Sequence, residues 1–253
     1  MAINRRWLTL ADNRHFLCAM TMPGDVMEQD RRPTTVVHRI GAEGEPLAII
    51  DDFAGDPDVL RAAAVVATFG PADQHYPGIR APLPDSYLKA QLPVIAAVLG
   101  RTFGRCRRVH VIDATFSIVT ASPAALQLGQ RLPHIDAYDR DRIALVHFLS
   151  PTDTDGTAFF RHRATGFETV TEERGRAYFA QLNAEVRDEE PGPGYIAGDS
   201  DLFERIAVVE ARYNRALLYR SRQLHSGAIS PDAVLSADPA VGRLTITAFL
   251  AIE

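Results

Sequence analysis

The chain has 253 residues, 46% hydrophobic and 23% charged, a globular composition that excludes disorder, a collagenous repeat and a disulfide scaffold. Its formal net charge of −5 and singly scattered arginines argue against nucleic acid as a partner, because phosphate binding asks for a basic surface. The one dense basic stretch, residues 101–108, also carries Phe103 and Cys106 and reads as a helix-to-strand corner.

Two cysteines far apart, Cys18 and Cys106, suit a reducing compartment. No apolar run reaches the length of a membrane span. Arg5 and Arg6 are followed by Asp12, Asn13, Arg14 and His15 rather than by the apolar core of a signal peptide. The expectation is a cytoplasmic protein with no membrane and no nucleic-acid partner. A homodimer is compatible with the sequence.

Residues 1–45 have weak periodicity, with a loop at 30–33, and read as an arm or a short hairpin. From Pro46, PLAIIDDF reads as a strand. Asp56 followed by Pro57 marks a helix start, with apolar positions continuing through Phe69. Residues 70–84 are rich in Pro and Gly, and 84–100 read as a second amphipathic helix. After residue 108 the texture changes to short runs rich in Val, Ile, Phe and Thr: VHVIDATFSIVTA, ALQLGQRLPHI, RIALVHFLS and TAFFRHR. A helix is predicted over 171–186. Strand texture returns in FERIAVVEA, RALLYRSR and RLTITAFLAI. This order predicts a mainly β chain with flanking helices (α+β) in one domain, 1–253. An N-terminal arm and supporting helices (1–108) would buttress a jelly-roll or cupin-like barrel of about eight strands (109–253).

Most of the eight histidines have structural explanations. His15, His38 and His75 sit in polar, loop-like surroundings. His110 and His147 lie inside strand patterns, where a hydrogen-bonded core or semi-buried histidine is usual. His162, between Arg161 and Arg163, is exposed or pairs with an acid. His134 differs, because Asp136 lies two residues on. Side chains at i and i+2 of an extended segment share a face, so an imidazole and a carboxylate converge. Further on, a strand run ends at His225, and another begins at Arg243. Alternation there puts Arg243, Thr245 and Thr247 on one face and Leu244, Ile246, Ala248 and Leu250 on the other. Turned inward, that polar face needs a polar guest, and a guanidinium fork suits a carboxylate. Turned outward, it is the wet side of the sheet.

His134-x-Asp136, a distal His225 and Arg243-x-Thr245 in this order resemble the signature of the Fe(II)/2-oxoglutarate-dependent dioxygenases, a superfamily built on a double-stranded β-helix. The resemblance covers about residues 110–253. The N-terminal stretches IIDDF-x4-DPDVLR and YPGIR are similar to an uncharacterised bacterial branch of it. The resemblance implies Fe(II) held by His134, Asp136 and His225, which would be the catalytic centre, and 2-oxoglutarate anchored by Arg243 with Thr245. It also implies a small-molecule substrate and O2, with succinate and CO2 as coproducts. Hydroxylation, desaturation or cyclisation of an amino acid or biosynthetic intermediate is the expected outcome. Asp136 argues against halogenation, since related halogenases lose this ligand. The gap between His225 and Arg243 is longer than in many members.

Candidate substrate contacts are Arg80, Gln127, Arg131, Tyr138 and Arg220. Two alternatives stand beside the oxygenase: a cupin-like metal enzyme that makes no use of Arg243, and a degenerate barrel acting as a binding module. The glycines of PGPGYIAGDSD read as a turn between prolines and not as a phosphate cradle. Asp153 and Asp155 read as a turn. There is no nucleophile elbow and no cysteine pair at zinc spacing.

Overall fold

The alternation that pervades the second half of the chain is expressed as antiparallel strands with two buried faces. A computed structural model describes residues 32–72, 75–104, 106–150 and 155–253. The predictions on residues 1–31, including Cys18 and His15, and on Asp153 fall outside it. In chain order the elements are β1 (Thr34–Ile40), β2 (Glu45–Asp51), α1 (Pro57–Val66), β3 (Gly70–Pro71), β4 (Gly78–Pro82), α2 (Asp85–Thr102) and β5 (Val109–Val119). Then come β6 (Arg142–Phe148), β7 (Gly156–His162), α3 (Glu172–Asp188), β8 (Phe203–Glu210), β9 (Ala216–Arg220), β10 (His225–Gly227) and β11 (Leu244–Ile252).

The strands form an eight-stranded sheet in the order β1-β2-β9-β6-β11-β5-β4-β3 and a three-stranded sheet in the order β10-β7-β8. All pairings are antiparallel. The fold is mainly β with helices, and the sheets do not close into a barrel. One face of the large sheet packs on α1 and α2, through residues such as Ile50, Leu60, Ile95, Leu99, Phe116 and Leu218. Its other face meets the small sheet through Leu47, Phe148, Phe159, Val209 and Leu217. The outer face of the small sheet is covered by Tyr178 and Leu182 of α3. Both faces of the large sheet are therefore buried over much of its area, which is why β2 and β9 read as unbroken apolar runs. No helix among the described residues is long and apolar enough to cross a membrane.

Both N-terminal helices start and stop close to their predicted positions. The Asp56 side chain accepts the Val59 N–H, and Pro57 occupies the first turn, where its missing N–H costs nothing. Thr171 caps α3 in the same way through the Arg174 N–H. Three expectations are corrected. The Pro/Gly-rich segment 70–84 contains β3 and β4, and with β1 and β2 they add four strands ahead of residue 108 to the large sheet. Gly78 permits this, since a Cβ there would lie 2.0 Å from the Ile118 carbonyl oxygen of β5. The run 125–135 is not a strand. A 3-10 turn, Pro123–Ala125, leads into it, and a second, Leu128–Arg131, lies within it and is closed by a reciprocal Gln127–Gln130 cap. Finally, the run expected to end at His225 breaks after Arg220, so His225 opens β10 in the other sheet.

His147 is one of the structural histidines, and it is fully buried. Its Nε2 donates to the Asn214 side-chain oxygen at 3.1 Å, and its Nδ1 faces the Tyr87 hydroxyl at 3.3 Å. Asn214, in a left-handed conformation (φ 62°), also holds both backbone groups of Ala54. Burial lowers the His147 pKa from 6.5 to about 4. Above pH 6.5 the ring is neutral in folded and unfolded chains alike. Below it, the unfolded chain takes up a proton that the folded one refuses, so stability falls as pH drops from 6.5 towards 4. Between pH 7 and pH 4.5 this site costs on the order of 2 to 3 kcal/mol. His147→Gln is expected to lose less stability than wild type over that interval in paired urea titrations. Equal losses would contradict the assignment. His110 departs from its predicted setting, being exposed beside Glu253, whereas His162 is buried and pairs with Glu185 at 2.8 Å.

Candidate metal centre

His134 and Asp136 lie on an extended segment stitched to the chain around β10. The His134 N–H donates to the His225 carbonyl at 2.9 Å, and the His225 N–H returns the bond at 3.0 Å. The Asp136 N–H donates to the Ser221 carbonyl at 2.8 Å. Ile135, between them, packs with the apolar cluster under α3. The i, i+2 geometry therefore holds, and the backbone pairing carries His225 to the same point.

The ligand-competent atoms of His134, Asp136 and His225 all lie within 4.8 Å of one another. His134 Nε2 is 3.9 Å from Asp136 Oδ1, and His225 Nε2 is 3.6 Å from Asp136 Oδ2. His225 Nδ1 donates to the Gln223 carbonyl at 2.9 Å, which fixes the tautomer and leaves the Nε2 lone pair facing Asp136. The Tyr219 ring packs edge-on against His225 at 4.8 Å and limits its rotation.

Desolvation, reinforced by the neighbouring His225, holds His134 at about 4, although its side chain opens onto the cavity. Burial likewise takes His225 to about 4. Burial raises Asp136 to about 6, against the opposing pull of His134, Arg142 and Arg80. Two neutral imidazoles and a carboxylate starved of solvation are what a divalent cation relieves. Asp136 Oδ2 is buried and has no hydrogen-bond partner, a cost that a bound cation would remove. The donor set of two nitrogens and one carboxylate suits a first-row divalent metal.

The triad borders a cavity of about 510 Å³ between the two sheets. From β11 and the residue before it, Arg243, Thr245, Thr247 and Phe249 face this cavity, while Leu244, Ile246, Ala248 and Leu250 face the helix side. The polar face predicted from alternation is thus turned inward. Arg243 Nη2 donates to the Gly156 carbonyl at 2.8 Å, and its Nε is buried without a hydrogen-bond partner. Thr245 is buried and donates to the Ser117 carbonyl at 3.2 Å.

Of the five predicted substrate contacts, Arg80 and Gln127 line the cavity. The other three are placed elsewhere, and each has a structural reason. Arg131 bonds to Glu190 and the Leu126 carbonyl, because the 3-10 turn rotates it away. Tyr138 lies past the paired segment, largely exposed, with its ring over Gly175 of α3. Arg220 ends β9, where Glu45 at 3.1 Å and the Phe103 carbonyl hold it. Cavity residues that sequence reasoning passed over include Arg142, Tyr195, Tyr219 and Phe249. Period-two alternation along RIALVHF would have flagged Arg142. Tyr195 sits in the Pro/Gly loop after α3, anchored by its hydroxyl to the Ala121 carbonyl at 2.7 Å, and no periodicity could have revealed it.

A family model described as a family of unknown function, DUF6445, matches residues 31–250. No curated protein matches the sequence. Among solved structures, one titled "Crystal Structure of EvdMO1" aligns with a TM-score of 0.47 and 13% identity over 86% of this chain. The chain spans only 55% of that protein's length, and a likeness so loose carries no inference about activity.

Proposed function

The chain belongs to DUF6445, a family of unknown function, and from its site we propose that it is a non-haem Fe(II), 2-oxoglutarate-dependent oxygenase acting on a small molecule. One observation carries the proposal. A His-Asp-His set with neutral imidazoles and a facing Arg243–Thr245 pair open onto a single cavity between two sheets. His134, Asp136 and His225 would hold the iron on one side and leave other coordination positions free. When bound, Fe(II) supplies the coordination of 2-oxoglutarate and O2 and the oxidising chemistry that follows. Arg243 would bind the far carboxylate of 2-oxoglutarate through charge-assisted hydrogen bonds, with Thr245 beside it.

The strand order supports reading the two sheets as a double-stranded β-helix. The chain alternates between them: β5 in the large sheet, the His134 bridge beside the small one, then β6 large, β7 and β8 small, β9 large, β10 small and β11 large. Fe(II)-dependent formation of succinate from 2-oxoglutarate, slow without substrate and abolished by a chelator, is the expected activity. Purified protein loaded anaerobically with Fe(II) and assayed for succinate tests it. No succinate above the metal-free control would sink the proposal. The bond from Arg243 to the Gly156 carbonyl favours one alternative, a metal enzyme in which this arginine is structural and 2-oxoglutarate has no part.

A further inference from the structure

Elsewhere in the fold, buried and partly buried arginines are matched to carboxylates. Arg215 meets Asp51, Arg220 and Arg222 share Glu45, and Arg161 bridges Glu168 and Glu204. The cavity breaks this pattern. Among the described residues, Asp136 is the sole acid lining it, beside Arg80, Arg142 and Arg243. Arg142 has no ion-pair partner among the described residues, and its Nε is buried without a hydrogen bond. Its guanidinium lies over the Phe249 ring, 5.2 Å from the centroid, which holds the fork in place without giving Nε an acceptor. Leaving that donor dry is costly unless a guest completes it.

Position separates this arginine from Arg243. Arg243 precedes the first residue of β11 and lies over the Phe148 ring, 5.8 Å from the centroid, with Nη2 on the Gly156 carbonyl. Phe148, under Arg243, is paired with Thr245, and Phe249, under Arg142, is four residues further along β11, about 14 Å at the usual rise. A five-carbon diacid held at the Arg243 end does not extend to the Phe249 end, so the two guanidiniums serve separate anions. A divalent cation at the triad would add to the positive excess. Ala144, Val146 and Ile229 supply an apolar wall beside the polar groups.

We propose that the substrate is a small organic acid with an apolar body, whose carboxylate is bound by Arg142 at the Phe249 end of the cavity. This rests on the oxygenase reading in one respect: 2-oxoglutarate occupies the Arg243 end. Arg142 is then a specificity-determining residue that selects acids over neutral analogues and orients the bound acid relative to the triad.

The test uses matched probes, phenylacetate with phenylacetamide and N-acetyl-leucine with N-acetyl-leucinamide. Their binding to the apo-protein is measured by calorimetry and ligand-observed NMR. For wild type, at least one acid should bind ten times or more tighter than its amide. Arg142→Gln should abolish that preference, Arg142→Lys should keep part of it, and Arg243→Gln should leave it intact. Thermal melts of each variant verify folding, which is expected because the Arg142 side chain has no hydrogen bond to lose among the described residues. Acids binding no better than amides would overturn the proposal. So would a preference that vanishes with Arg243→Gln and survives Arg142→Gln, since the acids would then merely occupy the cosubstrate end. Because these measurements need neither iron nor 2-oxoglutarate, failure of the oxygenase reading registers separately, in the succinate assay.

Discussion

His225→Ala is expected to weaken Fe(II) binding by more than a hundredfold and to abolish succinate formation. Three donors would hold the cation, and removing one would discard a bond outright. Alterations one step further out, to groups that orient a ligand, already cost roughly 10–100-fold. His225 is also the donor whose orientation is most constrained, by the Gln223 carbonyl and by the Tyr219 ring. The residue is buried, so truncation leaves a void beside Tyr219 and lowers stability. His225→Gln separates the two effects by keeping most of the volume without the imidazole. Competition titration against a metallochromic chelator measures the affinity, and a thermal melt measures the fold. A folded His225→Gln protein that binds Fe(II) like wild type would remove His225 from the site.

Arg243→Gln is expected to raise the 2-oxoglutarate concentration needed for half-maximal succinate formation by 10–100-fold, the range for losing charge-assisted hydrogen bonds of about 1.5–3 kcal/mol. Fe(II) affinity should be unchanged, because among the described residues Arg243 interacts with the Gly156 carbonyl, the Phe148 ring and the charges of Tyr76, Asp155 and Tyr195 rather than with the triad. Glutamine is two bonds too short to keep the bond to the Gly156 carbonyl, so a thermal melt of the variant reads the structural part of the effect separately from the cosubstrate requirement. An unaltered cosubstrate requirement would favour the enzyme without 2-oxoglutarate.

The candidate site was more legible in the sequence than the architecture around it. Its signal lay in short-range geometry: the i, i+2 relation of His134 and Asp136 and the alternation from Arg243 to Leu250 depend only on extended backbone. What joins His134 to His225 is a non-local backbone pair, for which no local pattern exists. Of the four strands ahead of residue 108, β2 falls on the run PLAIIDDF that reads as a strand, and the other three were obscured for different reasons. β3 and β4 are short and Pro/Gly-rich, and β4 lies against β5 because Gly78 lets the backbones approach. β1 is an exposed strand at the sheet edge, so burial imposes little alternation on it. The misread run 125–135 shows the opposite failure. Leu126, Leu128 and Leu132 mimic strand alternation, yet a local side-chain cap between Gln127 and Gln130 favours the turn. That one error also removed Arg131 from the cavity.

The central claim is tested most directly by an anaerobic titration of the apo-protein with Fe(II) and then 2-oxoglutarate, followed by visible absorption. The account predicts a metal-to-ligand charge-transfer band for wild type that disappears in His225→Gln. Iron binding without such a band would contradict the 2-oxoglutarate assignment, and failure to bind iron at all would contradict the metal centre itself.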